Sequence, residues 1–392
     1  MKENWFLDPT IAFLNHGSFG ATPRLVLAKQ NEWRERLERE PVLFLARQID
    51  ELVEEVRQEL AKFLNADPNG IALVKNATAG VNAVLRSLDL DQHDELLVTN
   101  HEYQASRNTL DFAAGLAGAK VVVVDIPFPI SSPDVVVERV LDKVTDRTRL
   151  LLIDHITSQT GLVFPVEHIV AELNARGVDT LIDGAHAPGM LPLDLRAVNA
   201  AFYTGNLHKW VCAPKGAAFL YVRDNRRASV RPTSISHGAS SDRRDRSRYL
   251  IEFDWTGTDD PTAILSVPES LRVIASLVDG GWPEVRRRNR ALALLARDIL
   301  IDALQIEKPA PDEMIGSLAA VPIPDTPYAT HSLFGNDPIQ DILFDQYRIE
   351  VPVMLWPQAP KRVLRVSAQL YNEPVEYERL ADALRREIAR ER

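Results

Sequence analysis

Two hydrophobic rhythms divide the chain. From about residue 24 to residue 64 apolar positions recur at helical spacing, with Leu52, Val56, Leu60, Phe63 and Leu64 on one face. Glu40-Pro41 breaks that stretch into two helices, because proline cannot continue a helical ladder. After Asn65 the pattern changes to short continuous apolar runs at 71–74, 95–99, 120–124, 149–154, 179–183, 200–204 and 217–222, separated by amphipathic segments. Runs of this length, apolar on both sides and alternating with helices, predict a mainly parallel seven-stranded sheet covered on both faces, an α/β fold. From residue 261 long helices return, one of them over 282–304, with short strands near 315–321 and 363–366. That mixture predicts a smaller C-terminal α+β domain. The expected division is 1–20 as an N-terminal segment packing with the small domain, 21–260 as the large domain and 261–392 as the small one.

Between residues 223 and 248 eight arginines stand against three aspartates among Gly and Ser clusters. This reads as a long surface excursion whose charges are solvated; the alternative is a rim that steers an anionic substrate.

Composition narrows the classes of partner. With 45% hydrophobic and 26% charged residues, the 392-residue chain resembles an ordinary soluble globular protein. A net charge of −10 and a pI near 5.5 argue against nucleic acid or an anionic membrane surface as partner, since either would be repelled over most of the protein. Cys212 is the single cysteine, so no intrachain disulfide can form and a reducing compartment is expected. No apolar run approaches the roughly 18 residues of a membrane span, and the opening Met1-Lys2-Glu3-Asn4-Trp5 does not begin a signal peptide. A cytoplasmic location is the expectation.

The chemistry concentrates where two of the apolar runs end. One closes in Ile182-Asp183-Gly184-Ala185-His186, and the next is followed by Asn206-Leu207-His208-Lys209-Trp210, which puts Lys209 twenty-six residues after Asp183. In doubly wound sheets ligands bind beyond the carboxyl ends of the strands, where both residues would sit. An acid and a lysine so placed suit pyridoxal 5'-phosphate (PLP): the acid would hold a proton on the pyridine nitrogen, and the amine would carry the cofactor as an imine. Alone, Lys209 would be read as a surface charge and Asp183 as a helix N-cap; together, with His186 in the same turn, they favour the cofactor. Lys215 competes, but the turn around it suggests a solvated position. Asn76-Ala77-Thr78-Ala79-Gly80 leaves the first strand and opens a helix, so its backbone amides could take the phosphate or be no more than a plain N-cap. Tyr103, preferred to His101, could stack on the electron-poor ring. Arg365 lies inside a strand. Period-two alternation favours pointing it to solvent; the functional alternative is a planar fork on a substrate carboxylate.

These pieces resemble the class V aminotransferase family of fold-type-I PLP enzymes, and within it the isopenicillin N epimerase-like branch. The matching segments are Leu14-Asn15-His16-Gly17-Ser18-Phe19-Gly20, Glu102-Tyr103, Asp183-Gly184-Ala185-His186-Ala187-Pro188-Gly189, His208-Lys209-Trp210 and Leu364-Arg365-Val366-Ser367 with Tyr371-Asn372. They run in the family's order over nearly the whole chain. The resemblance implies Lys209 as the imine lysine, Asp183 on the pyridine nitrogen and His186 near the ring hydroxyl. It implies phosphate contacts from Ala77, Thr78, Tyr203 and His208, stacking by Tyr103, and a ring contact at Ser158, where related cysteine desulfurases carry asparagine. Asn15 and Arg365 would hold the substrate carboxylate. Thr256 and Thr258 would reach the neighbouring subunit's phosphate site, which implies a homodimer with shared sites. No metal is expected.

Three activities share such a site. An epimerase would use Lys209 on one face of the substrate and Tyr103 or a water on the other. A carbon–sulfur lyase would expel a β-substituent, and an aminotransferase would release the cofactor amine. Desulfuration needs a nucleophilic cysteine on a mobile loop, and Cys212, three residues after Lys209, does not suit that role.

Overall fold

The computed structural model describes residues 1–327 and 337–391. Seven strands form the central sheet: β1 (Ile71–Val74), β2 (Glu95–Thr99), β3 (Lys120–Val124), β4 (Thr148–Asp154), β5 (Asp179–Asp183), β6 (Phe202–Asn206) and β7 (Ala218–Val222). Their order across the sheet is β1-β7-β6-β5-β4-β2-β3. Strand β7 runs antiparallel to both its neighbours, and all other pairings are parallel. The expected strand at 200–204 lies two residues later, at Phe202–Asn206, where Gly205 and Asn206, though small or polar, continue the ladder opposite Phe219 and Ala218.

The pleat sends alternate residues to opposite faces. Leu97, Leu151, Ile153, Ile182, Tyr203 and Phe219 pack with the helices Ile49–Leu64 and Val166–Ala175. Leu96, Val98, Leu152, Leu181, Phe202 and Leu220 face α1 (Ala77–Leu85) and α2 (Gln104–Ala117). Each such side chain removed from water contributes about 1.5–3 kcal/mol, so a sheet buried on both faces is strongly specified.

A second, antiparallel sheet has the order β9-β10-β8, from β8 (Leu318–Ile323), β9 (Val353–Leu355) and β10 (Arg362–Ser367). The helices Gly281–Leu304 and Pro374–Glu391 pack beside it. The N-terminal segment is woven into this part of the fold. Ala12 and Phe13 pair in parallel with Ile349 and Glu350, the Ser367 N–H donates to the Leu14 carbonyl at 2.8 Å, and the Gly17 N–H donates to Ser367 Oγ at 3.0 Å. Gly17 allows this close approach: a Cβ there would lie 2.7 Å from Leu318 Cδ2, and that side chain would have to shift. Gly20 is more constrained still: its φ of +70° suits glycine, and a Cβ would sit 2.0 Å from the His208 carbonyl oxygen. The segment 14–20 is thereby threaded between β10 and the backbone that carries Lys209.

The arginines of 223–248, Arg244 apart, are paired with acids rather than merely solvated, and they form no open basic rim. Arg226 binds Asp179 at 2.7 Å, Arg227 binds Asp67 at 2.6 Å, Arg243 binds Asp50 at 2.6 Å and Arg246 binds Asp254 at 2.9 Å, while Arg231 and Arg248 share Glu252. They fasten this excursion to the large sheet and its helices.

Candidate active site

Strands β4 and β5 end in acids that are register partners, Asp154 and Asp183. Glu102, just past β2, joins them, with one oxygen of each residue within 4.8 Å of the others. All three are buried. Asp183 accepts from Ser106 Oγ of α2 at 2.7 Å and from the Ala185 N–H at 3.0 Å. Both oxygens of Glu102 and Oδ2 of Asp154 have no hydrogen-bond partner among the described residues. Three carboxylates cannot all ionise in so dry and crowded a place. Burial, reinforced by the neighbouring acids, raises Glu102 and Asp154 well above the usual carboxylate range. Burial raises Asp183 too, but its two donors oppose that shift and make it the best-supported anion of the three. No helix begins at Asp183, so the N-cap alternative does not apply.

Lys209 lies in a tight turn after β6. The His208 N–H donates to the Ala217 carbonyl at 3.2 Å and the Ala213 N–H to the Leu207 carbonyl at 3.0 Å. The lysine amine is 3.1 Å from His186 Nε2. Burial, assisted by the Arg365 charge, pushes Lys209 down from 10.5 to about 7, while Asp183 and Asp154 oppose the shift. An amine tuned to that range is a nucleophile and a base at neutral pH. Lys215 is exposed, as expected.

Two imidazoles bracket Lys209. His16 lies 3.0 Å from the Lys209 carbonyl through Nε2 and 2.8 Å from the Tyr371 hydroxyl through Nδ1. His186 lies between the Lys209 amine and the indole N–H of Trp210, 3.4 Å from its Nδ1. Burial holds both imidazoles below their ordinary range, His16 at about 3.

Arg365 is buried and faces the site, which overturns the solvent-facing reading. The alternation does hold along β10, but the N-terminal segment covers the face to which Arg365 points. Its Nη1 donates to the Ser158 carbonyl at 2.5 Å, and its Nη2 to Asn15 Oδ1 at 3.3 Å and Ser18 Oγ at 3.2 Å. Its Nε has no partner among the described residues. Asn15 Nδ2 donates in turn to Glu350 Oε1 at 2.9 Å. Burial lowers Arg365 to about 10, and the nearby Tyr103 favours its charge. Tyr103 itself stands partly exposed just before α2, whereas His101 is sequestered between Thr160 and the Ile126 carbonyl and packs on Trp356.

The phosphate cradle differs from the expectation. The Ala77 N–H is already committed to Asn206 Oδ1 at 2.8 Å, and the Ala79 N–H to Asn76 Oδ1 at 2.8 Å, which leaves Thr78 as the donor of the first turn of α1. Tyr203 belongs to the opposite face of the sheet: it is fully buried, its hydroxyl meets His155 Nδ1 at 2.8 Å and its ring stacks on Phe219. One step of the pleat separates it from Phe202, which faces α1. His208 is half-buried, and its Nδ1 donates to the Ala217 carbonyl at 3.1 Å, so Nε2 is the nitrogen left for a ligand. Ser158 meets Arg365 first, through its carbonyl and, at 3.5 Å, its hydroxyl. Thr256 and Thr258 are exposed in the loop after the helix Arg248–Asp254, which an ion pair between Lys75 and Asp259 tethers.

Glu102, Asp154 and Ser106 received no role from sequence. Asp154 carried the same signal as Asp183, an apolar run ending in an acid. Ser106 carried none, since only the packing of α2 brings its hydroxyl to Asp183.

The residues fit PLP. A buried carboxylate held by two donors, a lysine amine lowered to about 7, and a helix N-terminus with Thr78 at its first turn supply the ring, imine and phosphate positions.

Several known proteins are similar to this chain over most of its length. The aminotransferase class-V profile matches residues 22–330. An isopenicillin N epimerase of Streptomyces clavuligerus is 35% identical, over 98% of this chain and 96% of its own length. A probable chloroplastic L-cysteine desulfhydrase of Arabidopsis thaliana is 29% identical, over 96% of this chain and 83% of its own. The solved cystine C–S lyase C-DES, in complex with cysteine persulfide, has the same fold at a TM-score of 0.77 and 22% identity, covering 96% of this chain and 98% of that one. The cysteine desulfurase CsdA of Escherichia coli superposes at 0.76 with 21% identity, over 99% and 98% of the two chains. This chain belongs to the class-V aminotransferase family.

Proposed function

We propose that this protein inverts or exchanges the α-hydrogen of an amino acid or amino-acid-derived substrate, as an epimerase. It is a PLP-dependent enzyme of the fold-type-I class. The observation that carries the reading is the convergence of the Lys209 amine, lowered to about 7, with the buried Arg365 fork, whose charge Tyr103 favours from nearby.

Bound here, PLP supplies an electron-poor ring that makes the α-hydrogen acidic. The protein's own residues do the rest. Asp183 holds a proton at the ring nitrogen, with Ser106 and the Ala185 N–H fixing its orientation. Thr78 and His208 bind the phosphate. Arg365 and Asn15 hold the substrate carboxylate, which sets the α-hydrogen relative to Lys209; Lys209, in its amine form, takes that hydrogen as a proton. Tyr103 provides a hydroxyl for the opposite face, and Ser158 keeps Arg365 in place. Cys212 has no part: it is buried, and burial pushes its thiol up to about 12, which speaks against desulfuration by a cysteine persulfide.

A homodimer, with Thr256 and Thr258 completing the partner's phosphate site, belongs to the same proposal, as does the division into 1–20, 21–260 and 261–392. Their support is the exposure of both threonines and the location of the two sheets within 71–222 and 318–367. Among the described residues no helix is long and apolar enough to cross a membrane. The cytoplasm suits the reduced thiol.

A carbon–sulfur lyase is the second reading, favoured by the likeness to cysteine desulfhydrases. Incubating the purified protein with a panel of amino acids that includes S-substituted cysteines, while following absorbance, chirality and keto-acid release, separates the two. Inversion of configuration supports the epimerase. Release of pyruvate and a thiol, with no inversion of any substrate, replaces it with the lyase.

A further inference from the structure

His186 touches polar groups through both ring nitrogens. Its Nδ1 lies 3.4 Å from Trp210 Nε1 and its Nε2 lies 3.1 Å from the Lys209 amine. The ring orientation is therefore constrained, since a flipped ring would set carbon against both partners and leave the buried indole N–H unanswered. An indole N–H can only donate. Nδ1 must consequently be the acceptor, and because a neutral imidazole bears one proton, that proton sits on Nε2 and points at the lysine amine. Burial keeps His186 well below its ordinary range, so the doubly protonated ring, which would need a second acceptor, is disfavoured.

We infer that Trp210 is a positioning residue whose indole N–H locks His186 in the Nε2–H tautomer, so that His186 presents a donor to Lys209 and to a ligand atom beside it. The consequence falls on Lys209. A donor facing the amine favours the neutral form, which offers a lone pair, over the ammonium, which offers only protons. The other tautomer would present a bare Nε2 and stabilise the ammonium instead. The groups that also face the lysine amine are Asp183 and Asp154 at the strand ends, which favour its charge, and Arg365 from β10, which opposes it. His16, on the far side of Trp210 with ring centroids 4.9 Å apart, follows the same rule. The Lys209 carbonyl can only accept, so His16 carries its proton on Nε2 and takes the Tyr371 hydroxyl at Nδ1. Tryptophan after the lysine thus has a chemical task beyond closing the apolar side of the site.

The inference rests on Lys209 as the cofactor-bearing lysine, but the tautomer is measured independently of any reaction. In the full-length protein with uniformly ¹⁵N-labelled histidine, with and without PLP, the His186 resonances, assigned by their loss in His186→Gln, are expected to show a protonated Nε2 and a bare Nδ1. A protonated Nδ1, or an imidazolium at pH 7.5, overturns the proposal in the wild type without any variant at Trp210. Trp210→Phe keeps an aromatic ring and removes the donor. It is expected to give a mixture of tautomers and to raise the pH midpoint of Lys209 acylation in the PLP-free protein by about one unit. Unchanged tautomer and midpoint in a folded Trp210→Phe protein would assign Trp210 to packing alone. Borohydride labelling of a lysine other than Lys209 would sink the cofactor reading while leaving the tautomer result standing.

Discussion

Arg365 Nη2 donates to Asn15 Oδ1 at 3.3 Å across 350 residues of sequence. The contact exists because the N-terminal segment lies against β10, and it turns an arginine that strand periodicity would send to solvent into a buried fork whose Nε has no partner among the described residues. A guanidinium so placed is suited to a carboxylate, which can satisfy two of its N–H groups at once. Arg365→Lys keeps the charge and loses the fork. The expected result is a KM raised about 10–100-fold with a smaller change in kcat, in keeping with about 1.5–3 kcal/mol for a charge-assisted bond. Equal KM values would remove the carboxylate role.

Borohydride reduction of the PLP-loaded protein followed by peptide mapping should label Lys209. Lys209→Ala should lose the label and lower α-hydrogen exchange by about 10²–10⁴-fold, the usual worth of a positioned base. A label on Lys215 or Lys75 would contradict the assignment.

Tyr103→Phe keeps a ring and removes the hydroxyl. In deuterated water with a responsive amino acid, wild type should exchange the α-hydrogen and scramble configuration. The variant should still bind PLP and exchange, but with retention. Inversion at the wild-type rate would give the second face to a water.

Subunit sharing is open to complementation. Lys209→Ala and Thr258→Ala proteins, each of low activity, should regain part of it when mixed and allowed to exchange. Exchange shown by mass with no recovery of activity would deny the loop its cross-subunit role.

The acid cluster makes a prediction about pH. Glu102 is raised in the folded protein, so folding takes up a proton at any pH between 4.5 and its folded value; its contribution is fully present below 4.5 and is lost as pH rises through the higher value. Glu102→Gln mimics the neutral acid without that proton. Its stability should exceed that of wild type by about 1–2 kcal/mol at pH 8, and the difference should vanish near pH 4. Denaturant titrations at the two pH values measure it. A variant less stable at pH 8 would mean that the ionised carboxylate is needed.

Much of this was legible in the residues themselves. The seven apolar runs predict the seven strands of the central sheet because a strand buried on both faces must be apolar throughout, and an acid or lysine just past such a run has to lie at the strand's carboxyl end. Asp183 and Lys209 could therefore be read without coordinates. What sequence could not supply was side-chain direction and distant company. Tyr203 and Phe202 are neighbours in the chain but face opposite sides of the sheet, so the phosphate role expected of Tyr203 gave way to a bond with His155. The Ala77 amide was expected at the phosphate and is taken by Asn206, a residue on another strand. The arginines of 223–248 looked like free charge until Asp179, Asp67, Asp50, Asp254 and Glu252 were brought to them. Helical and strand periods are local and set by the backbone. Which buried groups meet is decided only when sheet, helices and N-terminal segment close on one another, and the contacts of Arg365, the acid trio and the Trp210–His186–Lys209 chain arise only there.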